Sequence, residues 1–380
     1  MACSKYEEPD SSLCLGFPEK VDSWMLASRF MRSKIGGQPA WLNLRDLPSI
    51  EEMKCGKCQN PMLFLMQIYA TEDFGEDPNC FHRTLFVFFC PKPECHENND
   101  TSSFLVLRNQ LGRKNEFYSY ESPQETKDWQ PEVNAAKYVK LCRTCGCLGD
   151  KTCNKCKQVH YCSRDHQLHD WNMQHKKECN VDFKYVFQEG ENIPEGPCGK
   201  NPESKIAILP QYEIVIQVDD EVVSSSDDES DTVDVKKELE KIKELEQGSE
   251  VKLNKADLAD FLTEEDGVKD KNFKRFLKVI QCDKRQILRY HRMETPLWVS
   301  TDHIPTDADV ANCEYCGGKR VFEFQIMPQL LNIVKLDNDS QNMKEATVDW
   351  GTIAIYTCEK SCSIGKPYKK EFSWKQNMPS

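Results

Sequence analysis

Cys142, Cys145, Cys153, Cys156, Cys162, His166, His175 and Cys179 fall in one stretch as four pairs, each separated by two or three residues. Two tetrahedral zinc sites need eight soft or borderline donors, and CxxC, CxxC, CxxxH and HxxxC let each pair reach one ion from a tight turn or a single helical turn. Eight donors leave no position for water, so both ions read as structural. In a module of about forty residues, too small to build its own core, metal supplies the stability.

Two more donor sets lie far apart in the chain. Cys55 and Cys58 sit on a turn that opens into an apolar strand, Met62 to Tyr69, and a second strand, Thr84 to Phe89, runs into Cys90 with Cys95 beyond. This is a zinc-ribbon-like layout, in which two hairpin knuckles each give a pair to one ion. Near the C-terminus Cys313 and Cys316 open another such segment, and the strand Thr352 to Thr357 runs into Cys358, with Cys362 following. Gln67-Ile68 stands nine residues after Cys58, and Gln325-Ile326 nine after Cys316. That equal offset predicts an internal duplication. The total is four structural Zn2+ ions, leaving Cys3, Cys14, Cys80, Cys147, Cys198 and Cys282, without paired spacing, as buried free thiols.

The elements that must position these donors are short apolar or alternating strands with no long helix between them, which predicts a β-rich α+β fold. Half a small barrel would expose a sheet edge, so the two halves, one from each end, are expected to combine into a duplicated β-barrel-like core. The 380 residues divide as follows. Residues 1–12 are a disordered start, 13–120 the N-terminal half, 138–182 the zinc finger, and 206–218 a strand of the core. Residues 219–250 form an acidic linker with a short helix over 234–247, and 255–380 hold helices and the C-terminal half. Phe273, Phe276, Leu277 and Ile280 are spaced for a core-packed helix, and Gln286 to Arg292 for a short helix ahead of Pro296.

The net charge is −12, and Asp219 to Asp231 holds seven acids and no base. Such a balance suits a basic partner and argues against nucleic acid, which Lys and Arg attract by counterion release. The N-terminus fails as a signal peptide and no run approaches a membrane span, so a soluble intracellular protein is expected. In that reducing setting paired cysteines read as metal sites rather than disulfides. Nothing forms a Ser-His-Asp, P-loop or dinucleotide signature, and His82, His96, His291 and His303 are isolated, so no enzyme is expected.

The residues Cys142, Cys145, Cys153, Cys156, Tyr161-Cys162-Ser163, His166-Gln167, Trp171, His175-Lys176 and Cys179 resemble a MYND finger. The resemblance implies interleaved ligands: Cys142, Cys145, Cys162 and His166 on one zinc, Cys153, Cys156, His175 and Cys179 on the second. It also implies peptide binding, often of proline-rich segments, with Gln167, Trp171 and Lys176 as contacts. His166 stands where many such fingers carry cysteine. With LGFPE, CGKC, FHRTLFVFFC, QILRY, PLWVS, CEYCGGKRVFEFQIMPQLLN, VDWGTIAIYTC and EFSWKQ added, nearly the whole chain resembles the programmed cell death protein 2 family, as an animal member.

That family resemblance implies a dedicated chaperone. Its client would be a newly made basic small-subunit ribosomal protein, the counterpart of bacterial S five and eukaryotic RPS two, escorted to nascent 40S particles in ribosome biogenesis. A monomer that pairs with its client, in cytoplasm and nucleus, is expected. The alternative is a MYND-based adaptor that recruits corepressor or proline-rich peptides in transcription and proliferation control.

Overall fold

Strand β4 (His82–Phe89) is apolar on both sides: Leu85, Val87 and Phe89 belong to one core cluster, Phe86 and Phe88 to another. A strand buried on both faces sits between two layers. In the computed structural model of the chain, those layers are the interior of a closed β barrel and an outer cover built from loops and the finger. The structure describes residues 12–71, 77–180, 182–189, 196–197, 207–219, 270–334 and 348–379.

The barrel runs in the order β1 (Cys14–Glu19), β10 (Tyr212–Val218), β2 (Lys34–Ile35), β3 (Leu63–Tyr69), β4, β5 (Phe104–Leu111), β14 (Lys369–Gln376), β13 (Thr352–Cys358), β12 (Arg320–Ile326) and β11 (Leu288–Tyr290), which returns to β1. Every pairing is antiparallel, and closure leaves no free edge in this sheet. Four short strands lie outside it: β6 (Lys151–Thr152) with β7 (His160–Tyr161) in the finger, and β8 (Gly196–Pro197) with β9 (Ala207–Ile208).

The expected duplication is visible in the register. β3 and β12 carry the same bulge, between Phe64 and Met66 in one and between Phe322 and Phe324 in the other. The first strand of each half crosses to the other half: β1 pairs with β11, and β10 with β2. The two ends of the chain are thus braided rather than merely abutted.

At one end the interior turns polar. Arg83 donates to Glu323 at 2.8 Å, both side chains wholly buried, and Thr357 and Tyr290 also donate to that carboxylate. Glu371 accepts from Arg108 at 2.7 Å and from Arg320 at 2.9 Å.

The helix Lys271–Cys282 forms where its spacing predicts, with Phe273, Phe276 and Ile280 buried and the Asp270 carboxylate accepting the N–H groups of Asn272 and Phe273. Residues 286–292 are not a helix. Leu288–Tyr290 is instead the short strand β11, because it fills the gap between β1 and β12 and takes ladder bonds from both. The strand expected over 206–218 is two pieces, of which only Tyr212–Val218 belongs to the barrel. Cys14, Cys80 and Cys147 are buried free thiols, whereas Cys282 is exposed at the end of its helix. Cys3, Cys198, the disordered start through residue 11, the helix at 234–247 and the acidic run beyond Asp219 lie outside the described residues. Among the described residues no helix is long and apolar enough to cross a membrane.

Candidate metal centres

Each CxxC pair is built on the same turn. In all four, the N–H of the residue that follows the second cysteine donates to the carbonyl of the first: Gln59 to Cys55, Gly146 to Cys142, Lys157 to Cys153 and Gly317 to Cys313, at 2.8–3.0 Å. Those four donors share a left-handed backbone, with φ of 59°, 70°, 58° and 69°. The turn folds both thiols to one side, and the partner pair arrives from another element. For the ribbon sites that element is the end of β4 or of β13. For the first finger site it is β7 with the helix Arg164–Asp170, started by Ser163, whose hydroxyl accepts the His166 N–H at 3.1 Å, and for the second it is the helical continuation Trp171–Glu178, which carries His175 and ends at Cys179.

The structure brings every expected set together. Cys55, Cys58, Cys90 and Cys95; Cys142, Cys145, Cys162 and His166; Cys153, Cys156, His175 and Cys179; and Cys313, Cys316, Cys358 and Cys362 each place their donor atoms within 4.8 Å of one another. The Sγ–Sγ separations are 3.6 Å for Cys58–Cys90, 3.7 Å for Cys145–Cys162, 3.7 Å for Cys153–Cys179, 3.7 Å for Cys313–Cys362 and 3.6 Å for Cys316–Cys358. A disulfide needs about 2.05 Å. Ligands at about 2.3 Å around a tetrahedral zinc lie about 3.8 Å apart, so the spacing fits four ligands of one ion. His166 Nδ1 stands 3.2 Å from Cys162 Sγ, and His175 Nε2 3.6 Å from Cys156 Sγ, as the shorter Zn–N bond requires.

The protonation chemistry agrees. The Gly318 N–H and then the neighbouring thiols hold Cys316 at about 7, while burial and the Cys313 thiol push Cys362 up to about 12. In the finger, burial works to raise Cys153, but the Cys156 N–H and His175 bring it to about 6, and burial with Cys153 raises Cys179 to about 11. One thiolate forms readily in each set and its charge opposes the next. A bound dication removes that opposition and deprotonates all its thiols.

The finger is fastened to the barrel through its first zinc knuckle. Gln38 donates to the carbonyls of Arg143 (2.8 Å) and Thr144 (3.2 Å), and Trp41 Nε1 to that of Gly146 at 2.8 Å. Beneath the second set, Tyr161 donates to Asp170 at 2.6 Å and Arg143 pairs with Glu178 at 2.7 Å.

Of the three expected peptide contacts, Gln167 and Trp171 are half-buried one helical turn apart, and Lys176 is exposed. Trp171 packs against the His175 ring at 5.8 Å, so it also fills the finger's own core. The sequence reading missed a cleft of about 500 Å³ beside this face, lined by Arg143, His169, Asp170, Glu178, Phe183 and Tyr185 among others. Arg143 lies over the Tyr185 ring at 5.0 Å and the Phe183 ring at 5.7 Å, and among the described residues neither nitrogen of the buried His169 has a hydrogen-bond partner. The alternating aromatics Phe183, Tyr185 and Phe187 were the available signal.

Three family models match this sequence: the Programmed cell death protein 2 N-terminal domain over residues 12–125, its C-terminal domain over 270–377, and the MYND finger over 142–179. The mouse Programmed cell death protein 2 is 38% identical over 367 residues, covering 96% of each chain. The human Programmed cell death protein 2-like is 28% identical over 345 residues, covering 87% of this chain and 85% of its own. A shorter match, 29% over 106 residues, 25% of this chain and 24% of the other, is to the Schizosaccharomyces pombe Probable 20S rRNA accumulation protein 4. No solved structure matches.

Proposed function

The chain belongs to the programmed cell death protein 2 family, and from that premise we propose that it is a dedicated chaperone of a basic small-subunit ribosomal protein, which it escorts to nascent 40S particles. The observation that carries this reading is the shared sequence with the fungal relative named for 20S rRNA accumulation, which points to ribosome biogenesis. The chemistry supports binding rather than catalysis, because all four donor sets are complete tetrahedra with no open position. A chain of net charge −12 screens the cationic patches of such a client and speeds their encounter. On this reading the protein would meet its client in the cytoplasm and deliver it in the nucleus.

The test is to refold the purified ribosomal protein with one equivalent of the zinc-loaded chain and follow light scattering. Suppressed aggregation that saturates at one to one is expected, with no effect on an acidic aggregating control. Equal protection of both clients would sink the reading.

The second reading, a peptide adaptor, is favoured by Val186, 74% exposed in the lining of the finger's cleft. The two separate at the second finger site, which is the one away from Gln38 and Trp41. Cys153→Ser with Cys156→Ser should leave client capture intact under the chaperone reading and abolish capture of proline-rich peptides under the adaptor reading.

A further inference from the structure

One face of the molecule runs against its overall charge. The helix Lys271–Cys282 buries Phe273, Phe276 and Ile280 and exposes Lys271, Lys274, Arg275 and Lys278. Those four positions share one side of a helix. Exposed Lys284 and Arg285 continue the strip, Arg285 lying over Phe17 of β1 at 6.0 Å, and Arg289 of β11 borders it. None of the six exposed cations forms an ion pair among the described residues. The nearby acids are already engaged. Asp270 accepts from Asn272 and from Thr301, at 2.9 Å and 2.7 Å, and Asp283 accepts the Arg285 N–H at 2.9 Å. Burial and the Arg275 cation bring Arg289 down to about 10 against the pull of Asp219, so cations from two elements do converge here.

We propose that this face binds the phosphate backbone of RNA, a property separate from client binding. Four cations along two turns span about 10 Å at a rise of about 1.5 Å per residue, enough for two to three phosphates, and Lys284 and Arg285 extend the track. The apolar stripe of the helix is turned into the molecule, so among the described residues the strip offers no exposed apolar side chain of its helix to anchor a protein partner. Nor do the described residues place an exposed ring along it for a base. What remains is contact with phosphate, independent of sequence, which the −12 net charge keeps weak and salt-sensitive.

Fluorescence anisotropy of the zinc-loaded full chain with a labelled 20-nucleotide RNA tests this. Binding at 50 mM salt should weaken roughly fiftyfold at 200 mM, as about four phosphate contacts require. Lys274→Glu, Arg275→Glu, Lys278→Glu and Arg285→Glu together should abolish it. The same charge change on the finger and its approach, at Lys137, Lys140, Lys155 and Lys177, should alter it less than threefold. No binding at 50 mM, or equal loss in both variants, would overturn the proposal. So would competition by polyglutamate as strong as by unlabelled RNA, which would assign the face to acidic protein segments, the chain's own Asp219–Asp231 run included.

Discussion

Gln67 and Gln325 perform the same task in the two halves of the barrel. The Gln67 Oε1 accepts the Ala40 N–H at 2.9 Å, and the Gln325 Oε1 accepts the Leu297 N–H at 2.6 Å. Each accepted N–H stands one residue before a buried tryptophan, Trp41 or Trp298. The carboxamides thus pin the segment crossing outside each half to its bulged strand. Replacing either by Leu strands a buried N–H and a buried carbonyl, at a cost of about 1–3 kcal/mol. Urea unfolding midpoints of Gln67→Leu and Gln325→Leu should fall by similar amounts, and an unchanged midpoint for one alone would end the claim of equivalent roles.

Arg83 and Glu323 tie the two halves inside the barrel, both fully buried. Burial works to raise the Glu323 carboxyl, but Arg83 and Thr357 hold it below its ordinary value. A depressed carboxyl contributes stability above its unfolded pKa of about 4.3, and that stability is lost as pH falls through the lower folded value. Glu323→Gln leaves the guanidinium uncompensated and should cost about 3–5 kcal/mol at pH 7. The gap in thermal midpoint between variant and parent should narrow from pH 5 to pH 3. A constant gap across that range would contradict the pairing.

How much of this was legible in the sequence follows from the range of each interaction. CxxC pairs and their offset to Gln67 and Gln325 are local patterns, so four donor sets and the duplication could be read before the fold. The interleaving of ligands within the finger came from family resemblance, and the structure gathers the donors into those same two groups. The exchange of β1 and β10 could not be read. β1 contains Gly16 and Pro18, poor strand residues, and becomes a strand because β10 and β11 flank it; a Cβ on Gly16 would lie 2.8 Å from Leu288 Cβ. The Arg83–Glu323 pair was hidden for the same reason, since its members are far apart in sequence and the apolar residues around each do not show that the two face one another.

Metal content should be four ions per zinc-loaded chain by native mass spectrometry, falling to three in Cys313→Ser with Cys316→Ser. A parent count of two would remove both ribbon sites. Chelation should unfold finger and barrel together rather than the finger alone. The first finger site is bonded to Gln38 and Trp41, and the ribbon sites close the ends of β4 and β13.

The common knuckle turn supplies its own test, because its fifth position, the residue after the second cysteine, is left-handed in every copy yet glycine in only two. Gly317 has nothing within 4 Å of where a Cβ would stand, at φ +69°, so Gly317→Ala reads backbone strain alone. A loss of about 1–2 kcal/mol is expected. Gly146 is different: its Cβ would also come within 2.8 Å of Gln38 Cβ, at the contact that fastens the finger to the barrel. Gly146→Ala should therefore cost more than Gly317→Ala and raise the exposure of Trp41, read as a red shift in its emission. In the opposite direction, Lys157→Gly removes a side chain from φ +58° and should stabilise the second finger site, slowing zinc transfer to a chelator. If Lys157→Gly released zinc faster than the parent, the shared turn would not be what positions the cysteines.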